Sequence, residues 1–408
     1  MKRTKTNKIK VAIIGSVGIP AKYGGFETLT EHLVDNLSNE YDLTVYCSGK
    51  KYPKNSRKKQ YKNATLKYIP LQANGIQSIP YDTLSIIHAL FYTDVLLILG
   101  VAGAWILPFV KLFTKKKIII SIDGIEWKRD KWNRIAKWYL FWAESMAVKY
   151  SHIDISDNEA IQDYTAMRYG TLSRIIEYGA DHTLKVSPSE SDLNEFPFLK
   201  NNYAVKVCRI EPENNVHEVL EAFMDLPDYQ LVMVGNWNNS EYGIIFKEKA
   251  KAYKNILLLD PIYDQRKLDL IRGNATLYIH GHSAGGTNPS LVEAMYLGLP
   301  ILAYNVSYNR KTTENKALYF NNQFELVELV NNTSSETLTE IGENMEKIAM
   351  RRYIWEKIAI KYQALIEEAF KIKVKNNIQP KTKNVDESKL IDMNIAHLKH
   401  HKSFYDKK

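Results

Sequence analysis

Two cysteines in 408 residues, Cys47 and Cys208, leave no material for a disulfide framework or a cysteine-based zinc site; a reducing cytoplasm fits. Long hydrophobic runs are missing too. The longest, Val95 to Val110, is broken by Gly100, Gly103 and Pro108 and falls short of the about 20 residues that a spanning helix needs. It reads as a buried strand followed by a short helix. The basic start precedes only the short run Val11 to Ile14, too little for the core of a signal peptide. No Asp-x-Asp pair occurs, and no His/Cys cluster has ligand spacing outside the final segment, so neither a bound metal nor another cofactor is expected. The G-x-G-x-x-G fingerprint is absent, and the second strand ends in Tyr46-Cys47-Ser48, without an acid for an adenosine ribose. Both absences speak against an NAD-dependent dehydrogenase.

What is present is an ordinary globular composition, 45% hydrophobic and 25% charged, in a chain too long for one core of roughly 250 to 300 residues. Two domains are expected. Short apolar runs alternate with helix-length segments: strands are read at Val11 to Ile14, Leu43 to Tyr46, Leu66 to Ile69, Val95 to Leu99, Ile118 to Ser121 and Ile153 to Ser156. The alternation restarts at Ala204 to Val207, Gln230 to Val234, Ile256 to Leu259, Thr276 to Ile279 and Ile301 to Tyr304. Each half reads as α/β, a Rossmann-like parallel sheet wrapped by helices. The expected division is an amino-terminal domain over 1–183, a Ser- and Pro-containing linker over 184–202 and a second domain over 203–350. An amphipathic helix over 351–374 and a basic, polar tail over 375–408 follow. In that tail His397, His400 and His401 read as solvated residues or, less simply, as a metal site.

The net charge of +9 attracts nucleic acid, anionic lipid or an acidic substrate alike. Its distribution is more informative. Lys115 to Lys117, Lys128, Arg129, Lys131, Arg134 and Lys137 interleave with Trp127, Trp132, Trp138 and Trp142. Such a face suits a membrane surface; a solvated helix with its tryptophans in the core is the other reading.

Four segments sit where strand ends would meet a ligand. The first, Gly15 to Glu27, follows the first strand. Gly18, Lys22, Tyr23, Gly24 and Gly25 form a loop for phosphate or sugar, or else a set of tight turns. The second carries Asp123, Glu126 and Trp127, able to bind sugar hydroxyls and stack on a ring, or forming an Asp-Gly turn before a helix. The third places Arg209 after the first strand of the second half, where a guanidinium can hold a leaving diphosphate unless it is an ordinary surface residue. The fourth runs from His280 to Glu293. Asn288 is an N-cap with Pro289 at the first helical position, so a helix starts there and ends near Gly298. His282, Gly285, Gly286, Thr287 and Ser290 surround that helix end, which attracts a diphosphate; Glu293, off the buried stripe, grips a ribose or is simply exposed.

Together Gly-Ile-Pro-Ala-Lys-Tyr-Gly-Gly-Phe-Glu-Thr, Asp-Gly-Ile-Glu-Trp-Lys-Arg, Arg-Ile-Glu-Pro-Glu-Asn-Asn and Gly-Gly-Thr-Asn-Pro-Ser-Leu-Val-Glu-Ala-Met resemble the family 4 glycosyltransferases of GT-B type. The resemblance is to the bacterial rhamnosyltransferase-type subgroup, whose amino-terminal domain is of the domain of unknown function 1972 type. It implies two Rossmann-like domains facing across a cleft, an acceptor-binding first domain, a donor-binding second one and a last helix crossing back. It further implies retaining, metal-independent transfer of a sugar, with dTDP-L-rhamnose as donor and a lipid-linked saccharide as acceptor, in capsule or surface polysaccharide synthesis. The expected setting is cytoplasmic and peripheral on the inner face of the membrane, with no nucleic-acid partner. Asp123 and Arg209 are the expected catalytic residues. Two residues depart from the broad family pattern: Gly285 replaces the first of two glutamates eight apart, and Asn214 stands where a second phosphate-binding lysine is usual. The competing readings are transfer of another hexose from a UDP- or GDP-sugar, a nucleotide-sugar epimerase and a catalytically silent GT-B subunit.

Overall fold

The computed structural model describes residues 8–21, 24–122, 124–129, 132–393, 395–399, 401 and 403. Lys22, Tyr23, Asp123, Lys131 and His400 lie outside them. The chain forms two compact units, Met1–Glu177 with Glu356–Lys408, and Tyr178–Trp355. Among the described residues the first unit holds β1 (Lys10–Ile14), β2 (Asp42–Ser48), β3 (Gln60–Tyr61), β4 (Ala64–Ile69), β5 (Val95–Leu99), β6 (Lys117–Ile122), β7 (Ile153–Ser156) and β8 (Arg174–Ile175). They lie in the order β3-β4-β2-β1-β5-β6-β7-β8, parallel except for the β3–β4 pair. The second unit holds β9 (Tyr203–Val207), β10 (Gln230–Val234), β11 (Ile256–Leu259), β12 (Leu277–His280), β13 (Ile301–Tyr304) and β14 (Leu318–Phe320). Their order is β11-β10-β9-β12-β13-β14, all parallel. Both units are Rossmann-like.

The unbroken apolar runs follow from this arrangement. A parallel strand covered by helices on both faces buries every side chain, as β5 does along its whole length. In each sheet the order reverses beside one strand, β1 between β2 and β5 and β9 between β10 and β12. The crevice beyond the carboxyl end of such a strand is where open α/β sheets bind ligands.

The stretch 184–202, read as a linker, is built into the second unit. Ser189 and Asp192 form a capping box on the short helix Glu190–Glu195, and Arg266 holds Asp192 through hydrogen bonds of 2.9 and 2.8 Å. The serines that signal irregular backbone are here a helix cap. The segments by which the chain enters and leaves this unit are fastened together. Ala180 donates its N–H to the Tyr353 carbonyl (2.7 Å) and Trp355 donates its own to the Asp181 carboxylate (2.7 Å). The Trp355 ring lies so close to Gly179 that a Cβ there would meet it at 2.4 Å.

The helix expected over 351–374 spans Trp355–Lys371. It returns the chain to the first unit, where Lys361 pairs with Glu177 (2.6 Å) and Glu368 with Arg174 (3.0 Å). The tail that follows differs from its expected solvated state. Gln379 donates to the Asp154 carbonyl (2.7 Å) and Leu172 to the Pro380 carbonyl (2.8 Å), while Leu390, Ile395 and Leu398 pack with Ala166 and Leu172. Val385, Met393 and Ala396 pack against the same cluster. Among the described residues no helix is long and apolar enough to cross a membrane.

Candidate functional site

The second unit collects several of the expected residues at the carboxyl ends of β9 and β12. Arg209 follows β9 with its side chain 47% exposed and its Nε 3.8 Å from Glu211. Its backbone is fixed from behind: the Asn214 side chain donates to the Arg209 carbonyl at 2.7 Å. A lysine at 214 would lack that amide brace. Asn215, at φ 47°, turns the chain into the helix Val216–Met224 and donates to the Gly281 carbonyl at 2.9 Å.

The loop after β12 is clamped at its base. Ser283 donates through N–H and hydroxyl to the Glu213 carbonyl (2.8 and 2.9 Å), Asn309 donates to the His282 carbonyl (2.9 Å) and Tyr308 to the Ser283 carbonyl (2.7 Å). His282 stacks on His280, with ring centroids 4.4 Å apart and planes at 11°. Beyond this base Gly285 has φ +137°, a conformation that only glycine adopts without strain, although a Cβ there would meet open space. A glutamate at 285 would therefore be strained in the backbone conformation seen here. Gly286 and Thr287 are buried and lead into the helix Pro289–Tyr296. Asn288 caps that helix by accepting from the Ser290 N–H (3.1 Å), and it also receives the Ser290 hydroxyl (2.8 Å). Asn288 and Ser290 thus hold the helix end that would attract an anion.

Glu293 leaves the buried stripe of this helix, but it is not a plain exposed residue. Its side chain is 15% exposed, one oxygen is paired with Arg272 and the other lies 3.2 Å from His182 Nε2. Arg272, fully buried, also pairs with Asp269 at 2.9 Å, and Asp269 accepts the Leu184 N–H at 2.9 Å. Trp355 Nε1 donates to His182 Nδ1 at 3.0 Å, so the proton of a neutral ring sits on Nε2 and points at Glu293. Burial alone would raise the Glu293 carboxyl, but Arg272 and His182 outweigh it and hold the group at about 2. Each carboxylate oxygen keeps a second lone pair for a hydroxyl donor.

In the first unit the glycine loop is held by carboxylates. Val17 donates to Glu27 (2.5 Å), Ala21 donates to Glu31 (2.7 Å), and a Cβ on Gly24 would meet the Glu27 carboxylate at 1.9 Å. The amino end of the helix Gly25–Leu37 thus already faces its own acid, which weighs against an anion there and leaves the sugar and tight-turn readings of this loop open. Gly18 is required by contact, because a Cβ at its φ of +125° would meet Cys47 at 2.7 Å. Glu126 is engaged by Arg129 (2.9 Å) and by Trp132 Nε1 (3.0 Å). Trp127 donates to the Tyr164 hydroxyl (3.0 Å) and stands edge-on to Phe141 at 5.1 Å. Both side chains are thus tied by contacts within this unit.

Sequence reasoning missed His182, Arg272, Asp269 and Lys206. His182 pairs only across elements and has no local signal, whereas Asp269 and Arg272 stand three apart on one helix and Lys206 is a lone lysine inside the apolar strand Tyr203–Val207.

Residues 8–181 match the family described as Domain of unknown function (DUF1972), and residues 190–349 match Glycosyl transferases group 1. No curated protein matches the chain. Among solved structures, sucrose-phosphate synthase from Thermosynechococcus elongatus is similar with a TM-score of 0.74 at 15% identity, covering 89% of this chain and 99% of its own. The Anabaena protein Alr3699/HepE, solved with UDP and glucose, gives 0.68 at 15% identity over 88% and 100%. A glycosyltransferase from Rickettsia africae gives 0.69 at 14% identity over 90% and 99%. The first part of the chain therefore matches the DUF1972 family and the second the glycosyl transferases group 1 family, on two Rossmann-like units like those of the GT-B glycosyltransferases.

Proposed function

We propose that the protein is a glycosyltransferase that moves a hexosyl residue from a nucleotide-activated sugar to an acceptor. The observation that carries this reading is the placement of Arg209 after β9, and of the Pro289–Tyr296 helix with its ionised Glu293 after the neighbouring strand β12, within the part that matches the group 1 family. Arg209 and the helix end suit a diphosphate, and Glu293 suits the hydroxyls of a ribose. Structural neighbours solved with UDP, UDP-glucose and UDP-2-fluoro glucose support a nucleotide sugar as the donor class.

The finer assignment follows the motifs: L-rhamnose from dTDP-L-rhamnose, passed with retention to a lipid-linked saccharide in surface polysaccharide synthesis. The acceptor hydroxyl oxygen forms the new bond to the anomeric carbon as the bond to the phosphate oxygen breaks, and that phosphate oxygen takes the hydroxyl proton. The chain's part is to orient donor and acceptor and to stabilise the departing negative charge. No metal is assigned to this step, and Asp123 is proposed to receive the acceptor.

A peripheral position on the inner membrane face is supported by the first unit. Ile135, Trp138 and Phe113 are 79, 69 and 75% exposed, and an apolar groove of about 510 Å³ runs between Ile79, Leu84, Trp105 and Trp142. Exposed apolar residues of this size beside Arg134 and Lys115 fit a lipid surface better than nucleic acid.

Incubating the protein with a panel of dTDP-, UDP- and GDP-sugars and a lipid-linked saccharide tests the reading. Acceptor-dependent release of one nucleoside diphosphate is expected, and absence of release with every donor would overturn it. The absent acid at Gly285 favours one second reading, a catalytically silent subunit, for which nucleotide would bind without turnover.

A further inference from the structure

Among the described residues one arginine and one lysine are fully buried, Arg272 and Lys206. Arg272 has Asp269 and Glu293. Lys206 has neither a carboxylate nor a hydrogen-bond partner for its amine, although it is only 1% exposed.

Its position accounts for that vacancy in chemical terms. Lys206 is the penultimate residue of β9, three residues before Arg209. A Cβ built on Gly281 would lie 2.6 Å from the Lys206 amine and 2.5 Å from the Asn214 carbonyl oxygen. The amine thus lies directly beneath the first residue of the loop that leads to the Pro289–Tyr296 helix, and beside the turn that braces Arg209. Gly281 leaves the room it needs.

The ionisable groups near Lys206 are Cys208, just past the end of β9, which favours its charge, and His280 on β12, whose own charge Lys206 disfavours. Opposite Lys206, β10 presents Met233, and the turn presents Asn214. Both ring nitrogens of buried His280 also lack hydrogen-bond partners. Burial disfavours the charged form of each, and Lys206 further disfavours charge on His280. An anion arriving above the loop reverses this balance.

We propose that Lys206 is a buried counter-charge for the diphosphate of the donor, positioned beneath the Gly281–Thr287 loop and protonated as that diphosphate binds. It touches no ligand atom and acts through the loop, as a positioning residue. The inference rests on the donor site proposed above.

The test is calorimetry of the full-length protein with UDP and dTDP, and with uridine and thymidine, at about pH 8. Phosphate groups, with a last pKa of about 6, are ionised there. Buffers of different ionisation enthalpy report protons taken up. The wild type is expected to take up a fraction of a proton with the diphosphate and none with the nucleoside. Lys206→Met is expected to lose that uptake and about tenfold in diphosphate affinity, with nucleoside affinity unchanged. His280 remains in this variant, so uptake that persists assigns the proton elsewhere and overturns the proposal. An equal loss for diphosphate and nucleoside marks local distortion and overturns it too. Should Lys206→Met not fold, the wild-type proton count decides, since zero uptake overturns the proposal. Wild-type protein that binds neither diphosphate nor nucleoside overturns the donor site itself, which separates that failure from this one.

Discussion

At neutral pH the Glu293 carboxylate is ionised because a buried guanidinium and an oriented imidazole N–H hold it so. Its folded value of about 2 lies below the usual carboxylate range. A depressed value contributes stability that is present above about pH 4.3 and lost as pH falls toward 2, on the order of 3 kcal/mol for this shift. Glu293→Gln should thus lower unfolding free energy by about 3 kcal/mol at pH 7, since it leaves Arg272 with Asp269 alone. In urea titrations the gap between variant and wild type should close between pH 4.3 and 2; a gap independent of pH would sink the argument. At this scale the sequence was readable where one residue carries a backbone signal. Asn288 and Pro289 announced a helix start, and Arg209 a strand end. The pairing of His182 and Arg272 with Glu293 was invisible, because it depends on a carboxylate about a hundred and about twenty residues away.

Elements were legible in proportion to how completely they are buried. Every long strand reads as an apolar run, whereas β3, β8 and β14, two or three residues each, carry too little pattern to notice. The carboxyl-terminal segment failed for the opposite reason. Its buried residues Leu390, Ile395 and Leu398 are spaced five and three apart and interleaved with both polar residues and other apolar ones, so no clear period emerges. Removing residues 376–408 should uncover Ala166 and Leu172, and should leave Asp154 without the bonds from Asn377 and Gln379. Three buried aliphatic side chains at about 1.5–3 kcal/mol each put the loss at roughly 5–9 kcal/mol. Thermal unfolding would show it as a clear fall in Tm; an unchanged Tm would mean that the segment merely rests on the surface.

For the whole molecule, the excess of 55 basic over 46 acidic residues acquires meaning through the apolar side chains it accompanies. The interleaving of lysine with tryptophan was read from the sequence as one face, and the fold divides it. Trp127 and Trp132 are tied into hydrogen bonds, whereas Trp138 and Ile135 project into solvent. Flotation with vesicles containing anionic lipid should recover the protein. Ile135→Ser with Trp138→Ser should lower recovery several-fold, and added salt should lower it further. Equal recovery of variant and wild type would place the lipid surface elsewhere.

The clasp of Ala180 on Tyr353 and Asp181 on Trp355 makes the second unit an insertion: a module plugged into the first through two adjacent ends. The first unit is the discontinuous host, assembled from both flanks of the chain. Modules with neighbouring ends tolerate excision, because no loop has to be stretched to close them. Residues 178–355 expressed alone should fold cooperatively and keep the Glu293, Arg272 and His182 cluster, since all its members lie inside the excised piece. Residues 1–177 without 356–408 should remain open to protease. The host would then be the later of the two to finish folding as the chain is synthesised, waiting for a helix made after its guest is complete.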